Sequence, residues 1–111
     1  MELDKIKRYL DAFAHERKWE KYRTPKNLCM ALSVEVAELT EIFQWMDTEQ
    51  SLSAKNDEKT KQHIKEELAD VLSYLVQIAS VLEIDLNDAF WEKTKKNEKK
   101  YPSPGKASLS Q

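Results

Sequence analysis

The sequence predicts an all-α domain, and three observations carry that prediction. Among 111 residues there is one Gly and there are three Pro, and two of the prolines, Pro102 and Pro104, fall in the last ten positions. The body of the chain thus lacks the breakers that short strands and tight hairpins need. Leu, Ala, Glu and Lys, all strong helix formers, are abundant. Apolar residues recur at three- and four-residue steps rather than alternating. The length fits one domain, so the expectation is a bundle of four to five helices over residues 1–102, with 103–111 as a mobile tail.

Each helix has its own signal. Leu3, Ile6, Leu10 and Phe13 form the stripe of a first amphipathic helix that fades near Lys18. Thr24-Pro25 reads as an N-cap followed by Pro at the first helical position. It opens a second helix that runs to about Met46, with Leu28, Ala31, Leu32, Leu39, Ile42 and Met46 on one face. The polar segment Asp47 to Lys61 reads as a loop. A third helix carries Ile64, Leu68, Val71, Leu72, Leu75, Ile78, Ala79 and Leu82. Asp85 resembles an N-cap with Asp88 in the first turn, where the helix dipole favours acid. From there a fourth helix runs through Leu86, Ala89 and Phe90 toward Tyr101.

Composition excludes several classes. With 18 basic and 20 acidic residues the net charge is −2, which gives no nucleic-acid signature. The one cysteine, Cys29, makes neither an internal disulfide nor a Cys-rich zinc site, and its apolar surroundings in sequence predict burial. No stretch approaches the ~20 apolar residues of a membrane helix, and no charged leader precedes an apolar run. A cytoplasmic protein with no membrane or nucleic-acid partner is expected. No Gly-x-x-x-x-Gly-Lys loop occurs, which excludes a P-loop ATPase. Four helices of this length make a thin core, and the apolar arc of the third is too wide for one neighbour. Part of its cover is expected from another subunit.

The informative anomaly is acidic. At 3.6 residues per turn, Glu35 falls at the centre of the second helix's apolar stripe, with Glu38 at its edge. On the third helix Glu67 and Asp70 repeat the i, i+3 spacing and flank the stripe, and Tyr74 extends the same patch; Glu66 points further toward solvent. Unpaired buried carboxylates cost several kcal/mol or take up protons, and adjacent ones repel. A single Glu-x-x-Glu is most often surface charge. Two acidic pairs beside core stripes on neighbouring helices point instead to four carboxylates converging on a hard divalent cation, Mg²⁺ or Mn²⁺. Neither His15 nor His63 forms the Glu-x-x-His motif of a di-iron bundle.

The fourth helix changes character along one face. Leu86, Ala89 and Phe90 continue as Lys93, Asn97 and Lys100, followed by Tyr101. Lysines near a helix C-terminus complement the dipole; on a core face they also suit a phosphate clamp. Trp19, Trp45 and Tyr74 fit a core or an interface, but beside acids and lysines they also suit a nucleotide base.

These residues carry a resemblance. The chain resembles the all-α NTP pyrophosphohydrolases, the MazG-like group, and within it the dCTP pyrophosphatase branch. The family's two acidic pairs appear as Glu35-Val36-Ala37-Glu38 and Glu67-Leu68-Ala69-Asp70. The branch-like segments are Trp19-Glu20-Lys21-Tyr22, Pro25-Lys26-Asn27-Leu28, Phe43-Gln44-Trp45 and Lys99-Lys100-Tyr101-Pro102. The resemblance implies hydrolysis of a nucleoside triphosphate at the α-phosphorus, giving monophosphate and pyrophosphate in nucleotide-pool house-cleaning. It implies Mg²⁺ on Glu35, Glu38, Glu67 and Asp70. It implies a base and sugar pocket shaped by Trp19, Asn27, Trp45 and Tyr74, and phosphate contacts from Lys93, Asn97, Lys100 and Tyr101. It also implies dimers, often paired into tetramers, with the site near a subunit interface. Arg23 stands where the branch carries His, so cytosine preference does not transfer directly. A guanidinium has donors only; Arg23 either reads an acceptor-rich base edge or holds a carboxylate and never touches substrate. Two alternatives stay open: a phosphoribosyl-ATP pyrophosphohydrolase-like enzyme, and a non-catalytic helical module that binds nucleotides or a protein partner.

Overall fold

The computed structural model describes residues 1–104; most of the tail proposed from the sequence lies outside the described residues. All regular structure among the described residues is helical: α1 (Leu3–Glu16), α2 (Pro25–Phe43), α3 (Thr48–Ser53), α4 (Glu58–Val81) and α5 (Leu86–Lys100), with 3₁₀ turns at Glu20–Tyr22 and Ala54–Asn56. No described helix is long and apolar enough to cross a membrane.

The helix starts follow the capping chemistry. Thr24 Oγ1 accepts from the Asn27 backbone N–H at 3.2 Å, with Pro25 as the first helical residue. Asp85 accepts from the Asp88 N–H at 3.0 Å. The segment read as a loop is instead the short helix α3 and a 3₁₀ turn. Asp47 and Gln50 form a reciprocal capping box at 2.8 and 2.9 Å, which satisfies two otherwise orphaned donors. A six-residue helix is too short to show a periodic stripe, so only the Asp-x-x-Gln spacing marks it. The third helix of the sequence reading is α4, and it begins one and a half turns before Ile64. Asp57 caps it, accepting from the Thr60 N–H at 3.0 Å.

Two helix ends use a left-handed residue that is not glycine. Lys18 has φ 56° and Glu83 has φ 55°. In both, the following N–H reaches back five residues, Trp19 to the Ala14 carbonyl at 2.9 Å and Ile84 to the Ala79 carbonyl at 2.8 Å. This is the Schellman closure, which usually places Gly at the left-handed position.

α2 and α4 form the central pair, and α1 packs along α4. Their shared core is Ala14, Leu28, Val76 and Ala79, with Ala54 beneath the α3 turn. No large side chain among the described residues is fully buried. Cys29, predicted buried, is exposed: it is turned about 100° from Leu28, off the α2 stripe. α5 makes only sparse contact with the rest. Leu86 and Ala89 turn inward, but Phe90 is exposed and meets Trp91 edge-on, at 5.0 Å between centroids. The face predicted to turn inward past Ala89, through Phe90, Lys93 and Asn97 to Lys100, is therefore exposed within this one chain. The radius of gyration is 17.6 Å, against about 13 Å for a compact chain of this length. On α4, Leu68, Leu75 and Leu82 are also exposed. Their seven-residue steps draw one line along the side of α4 facing away from Asp70, Ser73 and Gln77.

The left-handed ends predict a stability gain. A non-glycine residue there costs about 1–2 kcal/mol, partly offset by glycine's larger unfolded-state freedom. Lys18→Gly or Glu83→Gly should each raise stability by about 0.5–1 kcal/mol in denaturant titration. A lower midpoint in both variants would refute the strain assigned to these turns.

Candidate active site

Three of the four acids expected to converge come together where α2 packs on α4. Glu35, Glu38 and Glu67 each offer a carboxylate oxygen, and these oxygens lie within 4.8 Å of one another. Glu67 is buried, Glu35 half-buried and Glu38 exposed. Asp70 stands outside this trio and lines the adjoining cleft. Glu35 Oε2 and Glu67 Oε2 are both buried with no hydrogen-bond partner. His63 Nε2 lies 3.6 Å from Glu67 Oε1 on the solvent side. Glu66 faces outward and takes a hydrogen bond from Gln62.

Like charges and burial shape the electrostatics of the cluster. The Glu35 carboxyl is pushed up to about 7, first by a hydrogen bond shared with Glu67, then by burial and by the nearby charges of Glu38 and Asp70. Two buried carboxylate oxygens without donors are costly to leave unpaired. A proton relieves part of that cost, and a divalent cation relieves more of it. The all-oxygen donor set fits a hard cation.

A cleft of about 650 Å³ opens beside the acids. One wall is aromatic: Tyr9 meets Phe13 at 6.0 Å, and Phe13 meets Trp19 edge-on at 5.7 Å. Tyr22, Asn27 and Tyr74 add rims, and Glu35 and Asp70 reach it from the side of the carboxylates. Asn27 donates to the Tyr22 carbonyl at 3.2 Å, leaving its side-chain oxygen free. A second groove of about 730 Å³ lies between the start of α1 and the α4–α5 turn. It is larger but contains no carboxylate cluster or orphaned buried oxygen, so chemistry rather than size selects the first cleft.

Of the residues singled out from sequence, Trp19, Arg23, Asn27 and Tyr74 line this cleft together with Glu35 and Asp70. Trp45 does not line it; this residue lies just past α2, 89% exposed. Lys93, Asn97, Lys100 and Tyr101 are exposed on or just after α5 and do not line it either.

Sequence reasoning missed a polar network behind the aromatic wall. Arg23 donates from Nη2 to Asp11 Oδ1 and from Nε to Gln77 Oε1, both at 3.0 Å. Ser80 donates to Asp11 at 2.8 Å, and Lys7 does so at 3.2 Å. Burial alone would raise the Asp11 carboxyl, but the hydrogen bonds from Ser80, Arg23 and Lys7 outweigh it and hold it below its ordinary value. Arg23 therefore holds a carboxylate while standing at the cleft. The available signal was that Ser73, Gln77 and Ser80 are polar residues set among the apolar positions of α4, on the face that also carries Asp70.

Known proteins supply the context. The MazG-like family profile matches residues 30–111. The chain is 44% identical over 101 residues to dCTP pyrophosphatase 1 of Mus musculus, covering 90% of this chain and 59% of that protein. Against dCTP pyrophosphatase 1 of Homo sapiens it is 39% identical over 101 residues, covering 91% of this chain and 59% of that one. The chain thus spans less than two thirds of the length of these relatives. A crystal structure of a pyrophosphatase from Archaeoglobus fulgidus superposes with a TM-score of 0.85 at 40% identity, covering 93% of this chain and 94% of that one. With the acidic pairs, the helical frame and these matches all in agreement, the chain belongs to the MazG-like family.

Proposed function

We propose that this chain is a Mg²⁺-dependent nucleoside triphosphate pyrophosphohydrolase that converts deoxynucleotides, dCTP among them, to the monophosphate and pyrophosphate. The observation that carries this reading is the carboxylate trio, with two orphaned buried oxygens, opening onto an aromatic-walled cleft. The names of the similar proteins, dCTP pyrophosphatase 1 and a pyrophosphatase, supply the reaction and one substrate. A house-cleaning role in the cytoplasm is the setting that suits it.

Glu35, Glu38 and Glu67 would hold the cation, with Asp70 at its cleft side. When bound, Mg²⁺ neutralises triphosphate charge and makes coordinated water more acidic. The chain's own residues supply the rest. The Tyr9–Phe13–Trp19 wall offers a stacking face for the base. A carboxylate oxygen not used on the cation orients a water toward the α-phosphorus and accepts its proton. As the new P–O bond forms, the bond to the bridging oxygen breaks and pyrophosphate leaves.

The site is proposed to be completed by a second copy, in a dimer or a pair of dimers. Support comes from the uncovered Leu68–Leu75–Leu82 line and from an α5 that packs on little of its own chain. The expected phosphate residues Lys93, Asn97, Lys100 and Tyr101, together with Trp45, would then reach the partner's cleft rather than their own.

Three outcomes are expected. Glu38→Gln and Asp70→Asn should each lower kcat by about 10²-fold or more while helical circular dichroism is unchanged; chelation of Mg²⁺ should abolish pyrophosphate release. Full activity in both variants would remove the metal assignment.

The Glu35 carboxyl gives a pH signature. Its folded value near 7 exceeds the ordinary 4.5, so the folded state holds a proton that the unfolded state has lost. Its contribution to stability is full below about 4.5 and fades as pH rises through 7. The metal-free protein should therefore melt at lower temperature at pH 8 than at pH 5.5, and Glu35→Gln should flatten that dependence. A pH-independent melting difference between the two proteins would oppose the assignment.

Sedimentation at micromolar concentration should give a dimer or tetramer. Leu75→Glu, placed in the uncovered line, should give monomers with little turnover. A fully active monomer would overturn the shared site.

A further inference from the structure

The network behind the cleft has a direction, and that direction ends in an unused proton. Arg23 can only donate. Its Nε faces Gln77 at 3.0 Å, so the Gln77 side chain must present its oxygen there; the flipped amide would set N–H against N–H. The amide nitrogen of Gln77 then faces Ser73 Oγ at 3.2 Å and donates to it. Ser73 thus spends a lone pair on Gln77, and its own hydroxyl proton has no acceptor recorded among the described residues. Ser73 is half-buried and lines the cleft between Asp70 and Tyr74. At the other end Asp11 anchors the chain, and the Arg23 side chain is only 12% exposed.

We infer that Ser73 is a nucleotide-selecting residue: its hydroxyl, polarised through Asp11, Arg23 and Gln77, donates to an acceptor atom on the nucleoside in the cleft. Arg23 and Gln77 are positioning residues that act through Ser73. This rests on the reading of the cleft as a nucleotide site. A fixed donor favours a pyrimidine edge that presents an acceptor at N3, as cytosine does, over one that presents N–H there, as uracil does. Leaving a donor facing a donor at a half-buried site costs about 1–3 kcal/mol, a preference of about fivefold to 150-fold.

The test measures binding and turnover separately. The full-length chain with Mg²⁺ is titrated calorimetrically with the α,β-imido analogues of dCTP and dUTP, which cannot be split at the α-phosphorus. Wild type should favour the cytosine analogue by about tenfold. Ser73→Ala should bring the ratio near one, and Ser73→Thr, which keeps the hydroxyl, should restore it. In Gln77→Glu the new carboxylate still accepts from Arg23 but also captures the Ser73 proton, turning a lone pair to the cleft. The ratio should then invert in favour of the uracil analogue. Equal weakening of both analogues in Ser73→Ala and Gln77→Glu, ratios unchanged within twofold, or a wild type without preference would each overturn the inference. Wild type that binds with the expected preference but releases no pyrophosphate from any dNTP would sink the proposed reaction and leave the Ser73 assignment standing.

Discussion

Where α2 crosses α4, three carboxylates face one another across a helix contact, and much else in the molecule answers to that repulsion. Packing the two helices buries Glu67 and partly buries Glu35, and the hydrophobic contact around Leu28 and Val76 holds them there. Without a cation the conflict is eased at Glu35, whose carboxyl is pushed up to about 7, first by its hydrogen bond with Glu67 and then by burial. That accommodation is incomplete, because one oxygen on each residue still lacks a partner. Apolar side chains of similar volume here would be no less stable; the acids carry a cost to stability that the proposed metal site would account for.

The rest of the chain offsets this locally rather than through a large core. Each helix from α2 onward begins with a side-chain cap, Thr24, Asp47, Asp57 or Asp85, and each cap contributes of the order of 1 kcal/mol. Beside the small apolar core, polar ties join distant segments. Asp11 binds Arg23 and Ser80, so one carboxylate joins α1, the α1–α2 connection and α4. Apolar burial within a single copy is small, and the leucines along the back of α4 remain open.

Most of the frame was legible in the sequence because helix spacing and caps are local signals. Thr24-Pro25 and Asp85 marked their helix starts correctly. The acids were legible for the opposite reason: charge at the centre of an apolar stripe conflicts with burial, and Glu35 shows the conflict without reference to any other segment. α3 was lost because six residues hold too few turns to reveal a period. The exposed course of α5 was lost because an amphipathic face reveals only that it needs cover, not whether its own chain supplies it. The partnership of Asp11 with Arg23, Gln77 and Ser80 depends on three-dimensional proximity across up to 69 positions, which no local pattern encodes. Sequence left Arg23 between two roles, and its bond to Asp11 shows that the carboxylate is held.

The Asp11 tie also divides the molecule's labour by helix. The acids that would handle phosphate chemistry sit on α2 and α4, whereas the stacking wall belongs to α1 and the turn that follows it. Because α1 is fastened to α4 by the Asp11 hydrogen bonds as well as by the small core contact around Ala14, other positions on its inner surface can be re-cut one residue at a time. Such changes leave the spacing of the carboxylates untouched. A scaffold of this kind can diversify its substrate repertoire by drift along one helix while its reaction stays constant.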